Sequence, residues 1–168
     1  MIREGIAVAG SLIVDTVKEI ERYPETGMLA NIVGVGRSVG GCMPNTAINL
    51  AKMKSGIPIQ AYGKAGKGEN GRYVIERLRE EGVDTEGVIL TEEEGTSFSD
   101  VMSVRGTGER TFFHYRGANK CFGPEDVAVD KLDCKIFHIG YLLLLDRFDL
   151  EDVAYGTVMA RFLRELQM

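Results

Sequence analysis

The sequence predicts a layered α/β fold: a largely parallel core sheet covered by helices, with a smaller β excursion beside it. Two observations predict it. Along residues 4–91, short apolar runs, two of them closed by glycine, alternate with helix-period segments, and such alternation signals a parallel α/β sheet. From residue 97 to 116 the period falls to two. That is the mark of paired strands, so a hairpin leaves the main pattern there.

Taken in order, EGIAVAG (residues 4–10) reads as a short buried strand ended by glycine. Residues 16–39 alternate polar and apolar side chains around YPETG, which suits two exposed strands better than a helix. SVGGCMPNTAINLAKM (residues 38–53) then brings two glycines, a proline and an asparagine to the head of an amphipathic run. Pro44 fits a first helical turn, where its missing N–H is no loss. Asn45 is a common helix-start residue, and Ala47, Ile48, Leu50, Ala51 and Met53 supply an apolar face. IPIQAYG (57–63) is a second buried strand, KAGKGEN (64–70) a glycine-rich loop, and GRYVIERLREEG (71–82) a helix. Val74, Ile75 and Leu78 share one face of that helix and Gly82 stops it. GVILT (87–91) and KIFHIG (135–140) add core strands, with the hairpin 97–116 turning at GTGE between them. Tyr155, Met159, Phe162, Leu163 and Leu166 follow the stripe of a helix packed on a core. No strand follows it, so this last βα unit reads as unfinished, with part of its apolar stripe expected to lie bare.

The 168 residues suffice for one domain, and 44% hydrophobic with 27% charged residues is a globular composition. A net charge of -5 without a dense Lys/Arg cluster argues against nucleic acid as a partner. No apolar run is long enough to span a membrane, and the N-terminus is not a convincing signal peptide. Cys42, Cys121 and Cys134 are odd in number and lack metal-ligand spacing, which argues against a disulfide framework or a zinc site. The expected compartment is the cytoplasm. His114 and His138 each lie in a strand-like run, where a structural role is expected.

For chemistry, GKAGKGENG fails the P-loop pattern and GVGRSVGG fails GxGxxG at Val39. A dinucleotide-binding oxidoreductase domain is therefore poorly supported. No GxSxG elbow and no catalytic Cys–His pairing is suggested. Asp15 and the Gly40–Gly41 turn with Asn45 do form a set. Asp15 lies just beyond the first strand, where open α/β sheets bind ligands. A carboxylate accepts hydrogen bonds from two neighbouring hydroxyls, an asparagine donates and accepts, and a bare helix start offers N–H groups. Two readings stand: a polyol site, or a tight turn with Asp15 as a turn residue and Asn45 as a cap.

The motifs GSLIVD (10–15), VGGCMPNTA (39–47), GKAGKGENG (63–71) and FHYRGAN (113–119) occur in the order seen in the PfkB, or ribokinase-like, carbohydrate kinases. The resemblance runs from about Ile6 to the last helix. It implies a ribokinase-like layered α/β core with a small β-sheet lid over a sugar, the lid strands falling at about 16–39 and 96–116. It implies that Asp15 binds sugar hydroxyls and that Gly40, Gly41 and Asn45 line the sugar site. Arg116 matches an arginine that some members direct at keto-sugar acids or fructose, while a solvated strand-end charge is the other reading. ATP and Mg²⁺ are the implied cofactors of the full-length enzyme.

Ribokinases proper carry asparagine where this chain has Ile13 and lysine where it has Cys42. That leaves fructose, another hexose or a sugar acid better matched than ribose. The family's DTxGAGD motif, with its general base and anion hole, does not occur in these residues. The expectation is that residues 1–168 form the N-terminal, sugar-binding part of a sugar kinase, with the C-terminal part of the core missing and no kinase activity alone. The competing expectation is a non-catalytic sugar-binding module, or one that forms a homodimer through the lid strands, whose open edges invite pairing.

Overall fold

The computed structural model describes residues 4–167. Its core is a four-stranded parallel sheet in the order β5-β4-β1-β8. The strands are β1 (Ile6–Gly10), β4 (Ile59–Gly66), β5 (Asp84–Thr91) and β8 (Ile136–Gly140). Helices α1 (Cys42–Lys52) and α2 (Glu69–Glu80) connect them. The residues of β1 are buried on both faces, and they divide by parity as a strand must. Val8 packs with Met43, Ala47, Val74 and Leu78 under the two helices. Ala7 and Ala9 meet Phe122, Phe148, Met159 and Phe162 on the other face. Their small side chains leave room for a ring cluster in which Phe148 and Phe162 lie 5.4 Å apart, edge to face.

The second sheet, also four-stranded, runs in the order β3-β2-β6-β7. It contains β2 (Ile13–Ile20), β3 (Ile32–Gly40), β6 (Phe98–Val104) and β7 (Arg110–Tyr115). β2–β3 and β6–β7 are antiparallel, whereas β2 and β6 are parallel neighbours. The hairpin thus lies outside the core sheet, as its change of period predicts.

Several boundaries differ from the sequence expectation. β2 begins at Ile13, so Asp15 sits inside a strand of the second sheet rather than in a turn after β1. Residues 21–31 form an irregular excursion that holds the expected turn near YPETG, where the Met28 N–H donates to the Glu25 carbonyl at 2.9 Å. β4 runs on through Lys64–Gly66, which were expected in a loop. Burial decides this: Lys64 is only 8% exposed and Ala65 fully buried.

At the C-terminal end, β9 (Glu151–Asp152) and β10 (Gly156–Thr157) make a short ladder before α3 (Val158–Leu166). Thr157 caps α3 by accepting the Ala160 N–H at 3.1 Å. Tyr155 therefore belongs to the preceding turn and is exposed. Met159 and Phe162 are buried in the ring cluster and Leu163 and Leu166 are partly buried at its edge, so of the stripe Tyr155 is the residue left bare.

A polar seam joins the two sheets. The side chain of Asn119, 2% exposed, accepts the Leu12 N–H and donates to the Leu12 carbonyl, both at 3.0 Å. Its own N–H donates to Ser97 Oγ at 3.2 Å, and Ser97 Oγ donates to the Arg116 carbonyl. Three passages of the chain between the sheets, at Leu12, Ser97 and Arg116, are thereby linked in one network through Asn119 and Ser97.

Candidate functional site

Asp15 stands in the middle of a polar row that crosses the second sheet. Its register partners are Ser38 on β3 and Ser99 on β6, and Ser99 pairs in turn with His114 on β7. Register partners share a face, so the four side chains lie side by side. Burial pushes the Asp15 carboxyl above the usual carboxylate range, while a hydrogen bond from Ser99 and the nearby His114 pull it back down. The sign matters for stability. A raised carboxyl favours the folded state most below its ordinary range, and that contribution is lost as pH climbs through the raised value.

The glycines of the turn serve the same site. The Asp15 carboxylate lies where a Cβ on Gly40 would be, so any side chain at 40 would displace it. Gly41 takes φ 93° as the residue before α1, and its missing Cβ lets the Ser11 carbonyl approach. Ser11 then fills the mouth of the helix. Its Oγ accepts the Cys42 N–H at 3.1 Å and its carbonyl the Met43 N–H at 3.3 Å. Pro44 has no N–H, and the Asn45 N–H bonds to Gly41 O at 3.2 Å. The first turn of α1 thus has its donors spent, which corrects the expectation of a helix start open to a ligand. Asn45 is likewise not the cap but the fourth helical residue, exposed, with its side chain beside Ser38 in the groove between α1 and β3.

The pfkB family carbohydrate kinase model matches residues 3–152. The chain belongs to that family. It is 28% identical over 146 residues to fructokinase-1 of Zea mays, covering 85% of this chain and 43% of the relative. The ribokinase of Giardia lamblia superposes with a TM-score of 0.79 at 19% identity, over 98% of this chain and 51% of that one. The Arabidopsis thaliana ribokinase complexed with ribose and ATP gives a TM-score of 0.60 at 26% identity, over 70% of this chain and 38% of that one. This pfkB chain therefore has the ribokinase-like α/β fold and spans about half the length, or less, of the relatives it matches.

Within this pfkB chain, Asp15 is set against Gly40, next to Gly41, while Asn45 lines the groove between α1 and β3 together with Ser38. Arg116 is engaged elsewhere, in an ion pair with Asp146 and a 3.3 Å bond to the Leu143 carbonyl. No group of three or more His, Cys, Asp or Glu side chains gathers to hold a metal ion among the described residues, and the α1 mouth is closed by Ser11. Cys42 Sγ lies 3.4 Å from His138 Nε2. Burial pushes that thiol up, against a smaller pull from Thr46, so it stays protonated at neutral pH. Ser11, Ser38, Ser99 and Asn119 escaped sequence reasoning. Only strand register shows that Ser38 and Ser99 flank Asp15, and no local pattern announces a register between strands so far apart.

Proposed function

We propose that this chain is the sugar-binding part of an ATP-dependent carbohydrate kinase, and that phosphoryl transfer is the work of the whole protein. The observation that carries this reading is Asp15, a partly buried carboxylate held over the bare backbone of Gly40 in a chain of the pfkB family. An ionised carboxylate is an acceptor only, with room for two hydroxyls of a polyol. The second sheet would act as a lid, with Gly41 and Asn45 on the core side. Fructose, another hexose or a sugar acid is the proposed substrate, since Ile13 and Cys42 add no polar side chain of the kind that ribose-specific members carry there. Arg116 would reach a sugar acid only by leaving Asp146. The proposed setting is the cytoplasm, which holds ATP and keeps thiols reduced; Cys42, Cys121 and Cys134 form no disulfide.

The test is calorimetry of the 168-residue chain with a panel of hexoses and sugar acids. Asp15→Ala is expected to weaken the best ligand by about one to two decades, the worth of a charged hydrogen bond, with thermal stability little changed. Unchanged affinity removes Asp15 from the site. Sugar-dependent ADP release by this same sample in ATP and Mg²⁺ would overturn the proposed division of labour.

One observation favours a second reading, a module that pairs with its own copy. All of β7 is exposed, including Phe112 at 62% and Phe113 at 58%, and it forms an edge of its sheet. Such an edge accepts another strand. A monomer at all concentrations in sedimentation removes this reading.

A further inference from the structure

We propose that His114 is a positioning residue for Asp15, acting through the hydroxyl of Ser99. The inference rests on the reading of Asp15 as the sugar-binding carboxylate, and it begins from a proton count. Ser99 Oγ lies 3.0 Å from His114 Nδ1, and Ser99 is also the register partner of Asp15 on the same face of the sheet, where its hydroxyl acts on the Asp15 carboxyl. A serine hydroxyl has one proton to give. An ionised Asp15 can only accept, so that proton goes to Asp15. The Ser99 oxygen must then accept from His114, which places the imidazole proton on Nδ1 and leaves Nε2 open. The three groups are successive register partners on β2, β6 and β7, so the sheet itself holds the chain of donors in line.

This gives His114 a task that its place on an exposed edge strand does not announce. With Nδ1 donating, the Ser99 hydroxyl is oriented toward Asp15, and the carboxylate is held charged and in one direction. If the imidazole carried its proton on Nε2, Ser99 would be drawn to donate to Nδ1, and Asp15 would lose its donor. On the same face of the sheet, Arg110 stands at the far end of β7, opposite Ser103, and Glu19 of β2 is paired with Arg105. Lys18 and Asp100, on the opposite face of the sheet, are paired with each other. Arg37 on β3 is held by Glu69 and Asn70.

The experiment is nuclear magnetic resonance of the 168-residue chain, with sugar affinity measured alongside. In the wild type the neutral His114 ring is expected as the Nδ1–H tautomer by ¹⁵N shifts, turning to the commoner Nε2–H form in Ser99→Ala. The Asp15 ¹³Cγ titration is expected to move to higher pH in both Ser99→Ala and His114→Phe, because each removes support for the charged form. His114→Asn keeps an N–H donor near the Nδ1 position and is expected to restore the wild-type midpoint. For sugar, His114→Phe is expected to lose about tenfold in affinity, with His114→Asn close to wild type. An Nε2–H tautomer in the wild type, or an Asp15 midpoint unmoved in His114→Phe, overturns the proposal. A wild type that shows the tautomer and the shifted midpoint but binds no sugar upholds the relay and sinks the reading of the site.

Discussion

Asp126→Ala is expected to destabilise the chain by about 3–5 kcal/mol, the usual cost of leaving one member of a buried ion pair alone. Lys64 and Asp126 have side chains only 9% and 11% exposed, with Nζ and Oδ1 2.9 Å apart. Lys64 Nζ also donates to the Cys121 carbonyl at 3.2 Å, and Asp126 Oδ2 accepts the Gly123 N–H at 2.9 Å. The pair pins the segment carrying Asn119 against β4. Without the carboxylate, the ammonium keeps one carbonyl in a site nearly closed to water. Since a domain's whole stability is about 5–15 kcal/mol, urea denaturation should show a large fall in midpoint. The double variant Lys64→Met/Asp126→Leu should recover much of it, because a buried pair adds little net stability over apolar side chains of similar size. A loss below about 1 kcal/mol would show that the pair is in effect solvated.

Asn119→Ala is expected to cost about 1–3 kcal/mol for each backbone group it orphans. Two are orphaned together, the N–H and the carbonyl of Leu12, in a residue with no exposed surface. The loss should be local as well as global. Amide exchange at Leu12 and Val14 should accelerate more than at Val8, whose strand pairs on both sides. Asn119→Asp should be at least as costly, since it replaces a donor to Leu12 O with an acceptor and buries a charge. Unchanged exchange at Leu12 would mean that the seam is held by other contacts.

Much of the fold is legible in the sequence because burial and period agree. The run IAVAG and the Val74, Ile75 and Leu78 face admit one reading each, and both take the expected form. Boundaries are less legible where a local signal competes with a tertiary one. The glycines of GKAGKGENG suggest a loop, yet Lys64 is kept in β4 by a carboxylate some sixty residues on. Tyr155 fits the stripe of α3 by spacing alone, but Thr157 supplies the cap two residues later and ends the choice. At the site, Asp15 and the glycine pair stand out as residue types, and the structure sets Asp15 against Gly40. The Ser11 bonds at the α1 mouth and the His114 row depend on strand register and on a close backbone approach, neither of which leaves a mark on neighbouring residues.

The parallel pairing of β2 with β6 also fixes an order of events on the ribosome. The central ladder of the second sheet cannot exist until Val104 has emerged. By then β1, α1, β4, α2 and β5 are all available, and these elements can begin to fold first. Until that moment the β2–β3 hairpin carries an open edge on the flank of Asp15. Synthesis therefore passes through a stage in which the nascent chain has β1, β4 and β5 of the core sheet but no formed Asp15 row, and β6 and β7 complete that row before β8 completes the core sheet.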